Sequence, residues 1–132
     1  MSGPAIAWYL MKTNVSLLAQ VPAARIFCGV IPLGTARPAI GVTSVSGVDA
    51  DNVAMAGNTL VTERVQVTIH AASYPSQKAL LGLVKAALPH THGAVNGMAC
   101  ESITPAGDGP DIYDDVTQLF EQSTDRMIKW HR

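Results

Sequence analysis

The strongest structural constraint in this sequence is an alternation of apolar and polar residues from Leu60 to Ala71. Val61, Val65, Val67 and Ile69 occupy alternate positions of this segment, and polar residues stand between them. Because successive side chains of a strand point to opposite faces of a sheet, this period of two predicts a strand with one buried and one wet face. Parallel strands are usually buried on both faces, so the alternation favours an antiparallel sheet covered on one side.

Two helical segments flank this strand in the sequence. Residues 4–20 carry apolar side chains at the spacing of one helical face, and Asn14 is a residue type that caps a new turn, so one helix or two short ones are expected before Pro22. Ser73 is a predicted N-cap for a second helix, which Pro89 ends. We expect the apolar stripe of this second helix to pack across the dry face of the strand.

The remaining segments predict shorter strands and two loops. Strands are expected at 26–31, 39–48 and 98–104, and loops at 49–59 and 105–115. Residues 116–130 fit either element, and their Thr and Ser content favours a strand. The expected fold class is α+β: an antiparallel β-sheet of about four to five strands flanked by two or three helices, in the order α-β-β-β-α-β-β, forming a single domain over 1–132.

The composition indicates a subunit that hides part of its surface. Hydrophobic residues make up 48% of the chain and charged residues only 14%, against about 25% charged in an average soluble domain. A monomer with so few charges would expose large apolar patches. Self-association is therefore expected.

Charge excludes a tight nucleic-acid binder. The formal net charge is −1, whereas affinity for DNA depends mainly on Lys and Arg neutralising phosphates. Residues 97–132 hold seven acidic and three basic residues. The acidic cluster at 108–115 is interpreted as a solvated loop, because its spacing does not match a calcium-binding loop.

Neither a disulfide nor a membrane span is predicted. The chain has two cysteines and no secretory signal pattern, which is typical of a reduced, intracellular protein. No apolar run approaches the roughly 18 residues that a membrane span requires. The chain is expected to be soluble and not exported by a standard route.

Histidines and a cysteine define the only enzymatic alternative. His90 and His92, together with His70, His131 or Cys100, have ligand chemistry for a metal, and Cys100 is a conceivable thiol nucleophile. The chain lacks the spacings of known metal and phosphate-binding motifs. We therefore predict no catalytic, cofactor or metal site, and a small cytosolic metal- or thiol-dependent enzyme remains an alternative.

Several stretches, in order along nearly the whole chain, resemble the tail-completion (tail-terminator) family of long-tailed bacteriophages and phage-like gene transfer particles. Their order and spacing carry the resemblance, since each piece alone is common. After an apolar N-terminal helix, the pieces are Arg25-Ile26-Phe27 through Pro32, Pro38-Ala39-Ile40, Arg64 to Ile69, Ser76-Gln77-Lys78-Ala79-Leu80, Ile112-Tyr113-Asp114 and Lys129-Trp130-His131.

The resemblance implies a structural role in a virion. Members of this family form a ring, typically a hexamer, which sits on the last ring of tail-tube protein and meets the head-tail connector, leaving an axial channel for DNA. It implies assembly in the host cytoplasm and a final location in the tail or neck. A head–tail adaptor or neck subunit is the nearest alternative, and a monomeric binding module is a further one.

The expected contact surfaces are the two predicted loops. Segments 49–59 and 107–116 are rich in polar residues and are expected to become ordered when neighbouring subunits or the tube arrive. The resulting candidates for subunit or tube contact are Asp49, Asp51, Asn52, Asn58, Asp111, Tyr113 and Asp114.

Overall fold

A computed structural model of the protein describes residues 3–50, 59–90 and 93–131. Its α-helices within these ranges are α1 (Gly3–Lys12), α2 (Val15–Leu18) and α3 (Tyr74–Ala87), and Ala23–Arg25 forms a short 3-10 helix. Its strands there are β1 (Ile26–Cys28), β2 (Ala39–Ala50), β3 (Leu60–Ala71), β4 (Gly93–Val95), β5 (Met98–Asp108), β6 (Ile112–Asp114) and β7 (Leu119–His131).

The strands of the described ranges form one seven-stranded sheet in the order β1-β2-β3-β7-β5-β4, with β6 also paired to β7. β3 lies at the centre, between the long strands β2 and β7. The β1–β2 pair is parallel, and the other pairs of the described strands are antiparallel. The polypeptide therefore crosses from β1 to β2 through residues 29–38, here called the crossover loop.

The core lies between the helices and one face of the sheet. Along β3, buried residues alternate with half-buried ones, as the period of two predicts. α3 packs against β3 and β7, and α1 packs against β1, β2 and β3. The face of the sheet that bears these helices is called the helix face below, and the opposite one the open face. The expected packing of α3 on the dry side of β3 is confirmed.

Local capping determines where the helices begin. The N-terminal segment forms two helices, because the Asn14 Oδ1 accepts a hydrogen bond from Leu17 N at 3.0 Å and starts α2. The Ser73 hydroxyl accepts one from Ser76 N at 3.3 Å at the start of α3. Both predicted caps are confirmed.

The expected four to five strands are too few. β5 runs on through Pro105 to Asp108, and β6 lies inside the segment predicted as a loop at 105–115. Proline is tolerated there because that part of β5 pairs only with β7 among the described strands, so the other edge of β5 needs no N–H donor. The last segment, 116–130, is a strand from Leu119 onward, as its Thr and Ser content favours, and residues 116–118 belong to the preceding turn.

The order of helices and strands along the chain also differs from the prediction. The described elements run α-α-β-β-β-α-β-β-β-β rather than α-β-β-β-α-β-β. Both strands that the prediction lacks, β4 and β6, are three residues long. Segments this short carry too few residues for a period of two to be recognised.

Gly41 allows the crossover loop to lie close to the sheet. A Cβ atom at this position would stand 2.9 Å from the backbone oxygen of Gly29 and 2.8 Å from a side-chain carbon of Ile31. The backbone N of Gly29 donates to the oxygen of Val42 at 2.7 Å. The absence of a side chain at Gly41 therefore leaves the space that the loop requires.

Candidate interaction surfaces

Asp111 joins the β5–β6 connection to helix α3. Its Oδ1 accepts hydrogen bonds from Lys78 Nζ at 2.8 Å and Gln77 Nε2 at 2.9 Å, and its Oδ2 accepts one from the Tyr74 hydroxyl at 2.9 Å. The Gln122 Oε1 of β7 accepts from the same Lys78 and Gln77 nitrogens at 3.0 and 3.1 Å. The carboxylate of this predicted contact residue therefore holds the chain's own elements together.

The hydrogen bonds of Asp111 make the free energy of unfolding depend on pH. Its hydrogen bond with Lys78 Nζ, followed by that with the Tyr74 hydroxyl, lowers the pKa of Asp111 below its ordinary 3.8. A carboxyl whose pKa is lowered by folding stabilises the protein above its unfolded pKa, and this stabilisation is lost as the pH falls through the folded value. We expect the wild type to lose more stability than Asp111→Asn on acidification from about pH 5 to about pH 2.

Urea unfolding at a series of pH values measures this difference. Lys78→Met is the matched control, since it removes the cation and should flatten the same part of the pH profile. The Asp111→Asn/Lys78→Met double variant should have the same pH profile as Asp111→Asn, because Lys78 acts on this part of the profile through the Asp111 carboxylate. Parallel profiles for wild type and Asp111→Asn would contradict the role of this carboxylate.

Tyr113 and Asp114 lie on β6 and its following turn. The Tyr113 ring stands 4.6 Å from the Phe120 ring, centroid to centroid, and about half of the Tyr113 side chain remains exposed. Asp114 Oδ1 accepts a hydrogen bond from Val116 N at 3.0 Å, which closes a local turn. Both residues are exposed at the surface, and their contact roles stay predictions.

The other predicted contact region lies at the end of the β2–β3 hairpin. Asp49 is exposed and belongs to β2, where it pairs with Val61, so the first two residues of the segment predicted as a loop at 49–59 lie in a strand. Asp51, Asn52 and Asn58 lie outside the described residues.

One corner of the molecule exposes several large apolar side chains. Leu33 and Val30 of the crossover loop are 104% and 82% exposed, and Val116 of the β6–β7 turn is 92% exposed. Arg37 joins this loop to the turn, because its Nη1 and Nη2 donate to the carbonyl oxygens of Gln118 and Thr117 at 2.7 and 2.5 Å. Val30, Leu33 and Val116 are called the apolar corner below. The contact loops predicted from the sequence, 49–59 and 107–116, do not include the crossover loop.

At the far end of the sheet, β4 and β5 border an open depression of about 630 Å³. His131 and Glu101 form an ion pair across it, with Nε2 and Oε2 3.1 Å apart. Its lining residues are His90, Gly93, Ala94, Gly97, Ala99, Cys100, Glu101 and His131.

This depression brings together three residues of the enzymatic alternative, His90, Cys100 and His131, but their chemistry is unfavourable for it. Burial raises the pKa of the Cys100 thiol, which keeps it protonated, whereas a nucleophilic cysteine requires a lowered pKa. Within the described ranges, no three His, Cys, Asp or Glu side chains are grouped so that they could hold a metal. His70 lies at the other end of β3, with Nε2 3.8 Å from Glu121 Oε1, and His92 is outside the described residues.

Glu63 is a buried carboxylate that is not among the site residues predicted from the sequence. It lies on the helix face of β3 and is only 8% exposed. Its Oε1 accepts hydrogen bonds from the backbone N of Gly3 at 2.8 Å and from Trp130 Nε1 at 2.9 Å. The period of two places position 63 on the dry face, between Val61 and Val65. A charged residue at a position of this apolar face is the sequence feature that indicates a buried carboxylate.

No helix in the described part of the chain has the length and apolar character needed to span a bilayer.

Comparison with known proteins reveals a likeness in fold. No known family model and no curated protein matches the sequence. The structure is similar to a chain in the solved virion of a native gene transfer agent (GTA) particle, with a TM-score of 0.67 and 14% identical residues. The match covers 99% of this chain and 96% of that one. The two chains therefore share an α+β fold over nearly their whole length, which agrees with the class that the sequence predicts.

Proposed function

We propose that this protein is a non-catalytic subunit of a phage-like particle, which forms a ring at the end of the tail tube, stops tube growth and joins the tail to the head. The observation that carries this proposal is the fold shared with a chain of a gene transfer agent virion over 99% of the sequence. The ordered sequence pieces shared with tail-terminator proteins support the tail position in particular.

Surface chemistry supports assembly rather than catalysis. Only 14% of the residues are charged, and Val30, Leu33 and Val116 expose apolar side chains that a free monomer would leave in water. The thiol of Cys100 is buried, and burial raises its pKa. A net charge of −1 fits a ring through which DNA slides, because few phosphates would be held by counterion release.

Electron microscopy of particles made without this protein tests the proposal. We expect tails of variable, excessive length and heads without attached tails, and a copy of the wild-type gene in trans should restore both. Tails of normal length that fail to attach would favour the head–tail adaptor role instead. Normal tails attached to filled heads would refute a role in terminating or joining the tail.

A further inference from the structure

The crossover loop presents an apolar projection that is already fixed in place. Leu33 is 104% exposed, while Arg37 anchors the loop to the β6–β7 turn through two hydrogen bonds. Arg25 adds a third tie, since its Nη1 donates to the backbone oxygen of Arg37 at 3.2 Å. A loop held this way loses little conformational entropy when Leu33 contacts a partner.

The depression beside β4 and β5 complements the crossover loop in shape and in charge. Its floor includes Gly93, Ala94, Gly97 and Ala99, whose small side chains leave room for an apolar group. Glu101 lies at its border with a side chain that is 60% exposed, and neither Lys nor Arg is among its described lining residues. The crossover loop, by contrast, has two cations at its base, Arg25 and Arg37, and one carboxylate beside it, that of Asp114. Apolar shape and charge are therefore complementary between the two surfaces.

The two surfaces lie at opposite corners of the sheet. His70, beside the crossover loop, and Leu60, which pairs with His131 of the depression, are ten residues apart on β3. This separation is about 33 Å for an extended strand. The loop also follows β1 at one edge, whereas β4 forms the other edge. One chain cannot place its own Leu33 in its own depression, so a contact between these two surfaces joins two copies of the chain.

We propose that the crossover loop of one copy inserts Leu33 into the β4–β5 depression of the next copy, with Arg37 facing Glu101. Because the two surfaces of this contact are different, it is heterologous, and its repetition around an axis closes a ring. The contact between the two surfaces does not depend on the proposed function. That repeated contacts close into a ring does rest on the proposed function.

Disulfide trapping tests the contact. In a Cys28→Ser/Cys100→Ala background, which also removes the native thiol that lines the depression, Leu33→Cys and Ala94→Cys place one thiol on each surface. On mild oxidation, the double variant should form a covalent ladder that ends at the ring, and a mixture of the two single variants should form covalent dimers only. A ring seen by light scattering without these cross-links would refute this contact while leaving the proposed function intact. A chain that stays monomeric at high concentration would also overturn the contact.

A negative charge placed at position 33 tests the same contact through the strength of self-association. Leu33→Asp should weaken self-association at least about 10-fold, as expected for an apolar residue at the centre of an interface. Its melting temperature should not change at concentrations at which the wild type is monomeric, because Leu33 is fully exposed in the single chain. Val15→Asp is the matched control, since Val15 is 81% exposed on α2, away from the apolar corner. Equal self-association of the two variants would refute the proposal.

Discussion

Glu63→Ala is expected to lower the free energy of unfolding by about 3–5 kcal/mol, because it leaves two buried N–H donors without an acceptor. The Gly3 backbone nitrogen and Trp130 Nε1 both donate to Glu63 Oε1. Each unsatisfied buried donor costs about 1–3 kcal/mol. The Gly3 nitrogen also begins α1, where a negative charge is favourable to the helix dipole.

Two matched variants separate this effect from a general loss of charge. Glu63→Gln keeps an acceptor oxygen and should cost only about 1 kcal/mol. Glu101→Ala removes a carboxylate that is 60% exposed, and should change stability by less than about 1 kcal/mol. Urea unfolding followed by tryptophan fluorescence measures all three. A Glu63→Ala variant as stable as Glu101→Ala would show that the buried acceptor is not needed.

Arg126→Met is expected to raise the free energy of unfolding, by about 1–4 kcal/mol, since it replaces a buried cation with an apolar side chain of similar length. Arg126 is 6% exposed, and burial lowers its pKa. Its Nε is buried without a hydrogen-bond partner in the described structure. The nearby Asp108 is not left unpaired by the change, because it accepts hydrogen bonds from Lys85 and Thr124.

Arg64→Met is a control for which the opposite change, a lower free energy of unfolding, is expected. On the open face, Arg64 Nε donates to Asp125 Oδ2 at 2.8 Å, and its Nη2 donates to the oxygen of Ala106 at 3.0 Å. Asp125 is only 9% exposed, so Arg64→Met leaves a carboxylate buried with its main partner removed. Thermal and urea unfolding should show Arg126→Met more stable, and Arg64→Met less stable, than the wild type. Destabilisation of both would mean that attraction to Asp108 outweighs the desolvation of Arg126.

Prediction from sequence succeeded where short-range interactions determine structure. The alternation in β3 depends on which side of one strand faces the core, and the Asn14 and Ser73 caps depend on atoms three residues away. It failed at Pro105, where a residue that usually ends a strand is tolerated at an edge. Whether a segment lies at an edge depends on strand pairing, which local sequence does not specify.

The candidate surfaces show the same difference between features that depend on nearby residues and features that depend on distant ones. Tyr113 and Asp114 are exposed, as expected for a polar turn, but Asp111 is bound to Lys78 of a distant helix. The apolar corner arises because Arg37 meets the carbonyl oxygens of Thr117 and Gln118, about 80 residues later in the chain. No periodicity within either segment indicates that contact.

The sequence alone determined the helix starts, the two faces of β3 and a composition suited to association, because these depend on neighbouring residues or on totals over the chain. Only the tertiary structure decided the strand order, the partners of the buried Glu63 and the positions of Leu33 and the β4–β5 depression at opposite corners. These features depend on pairing between residues far apart in the chain, where packing and hydrogen-bond satisfaction select one arrangement among many that the local patterns permit.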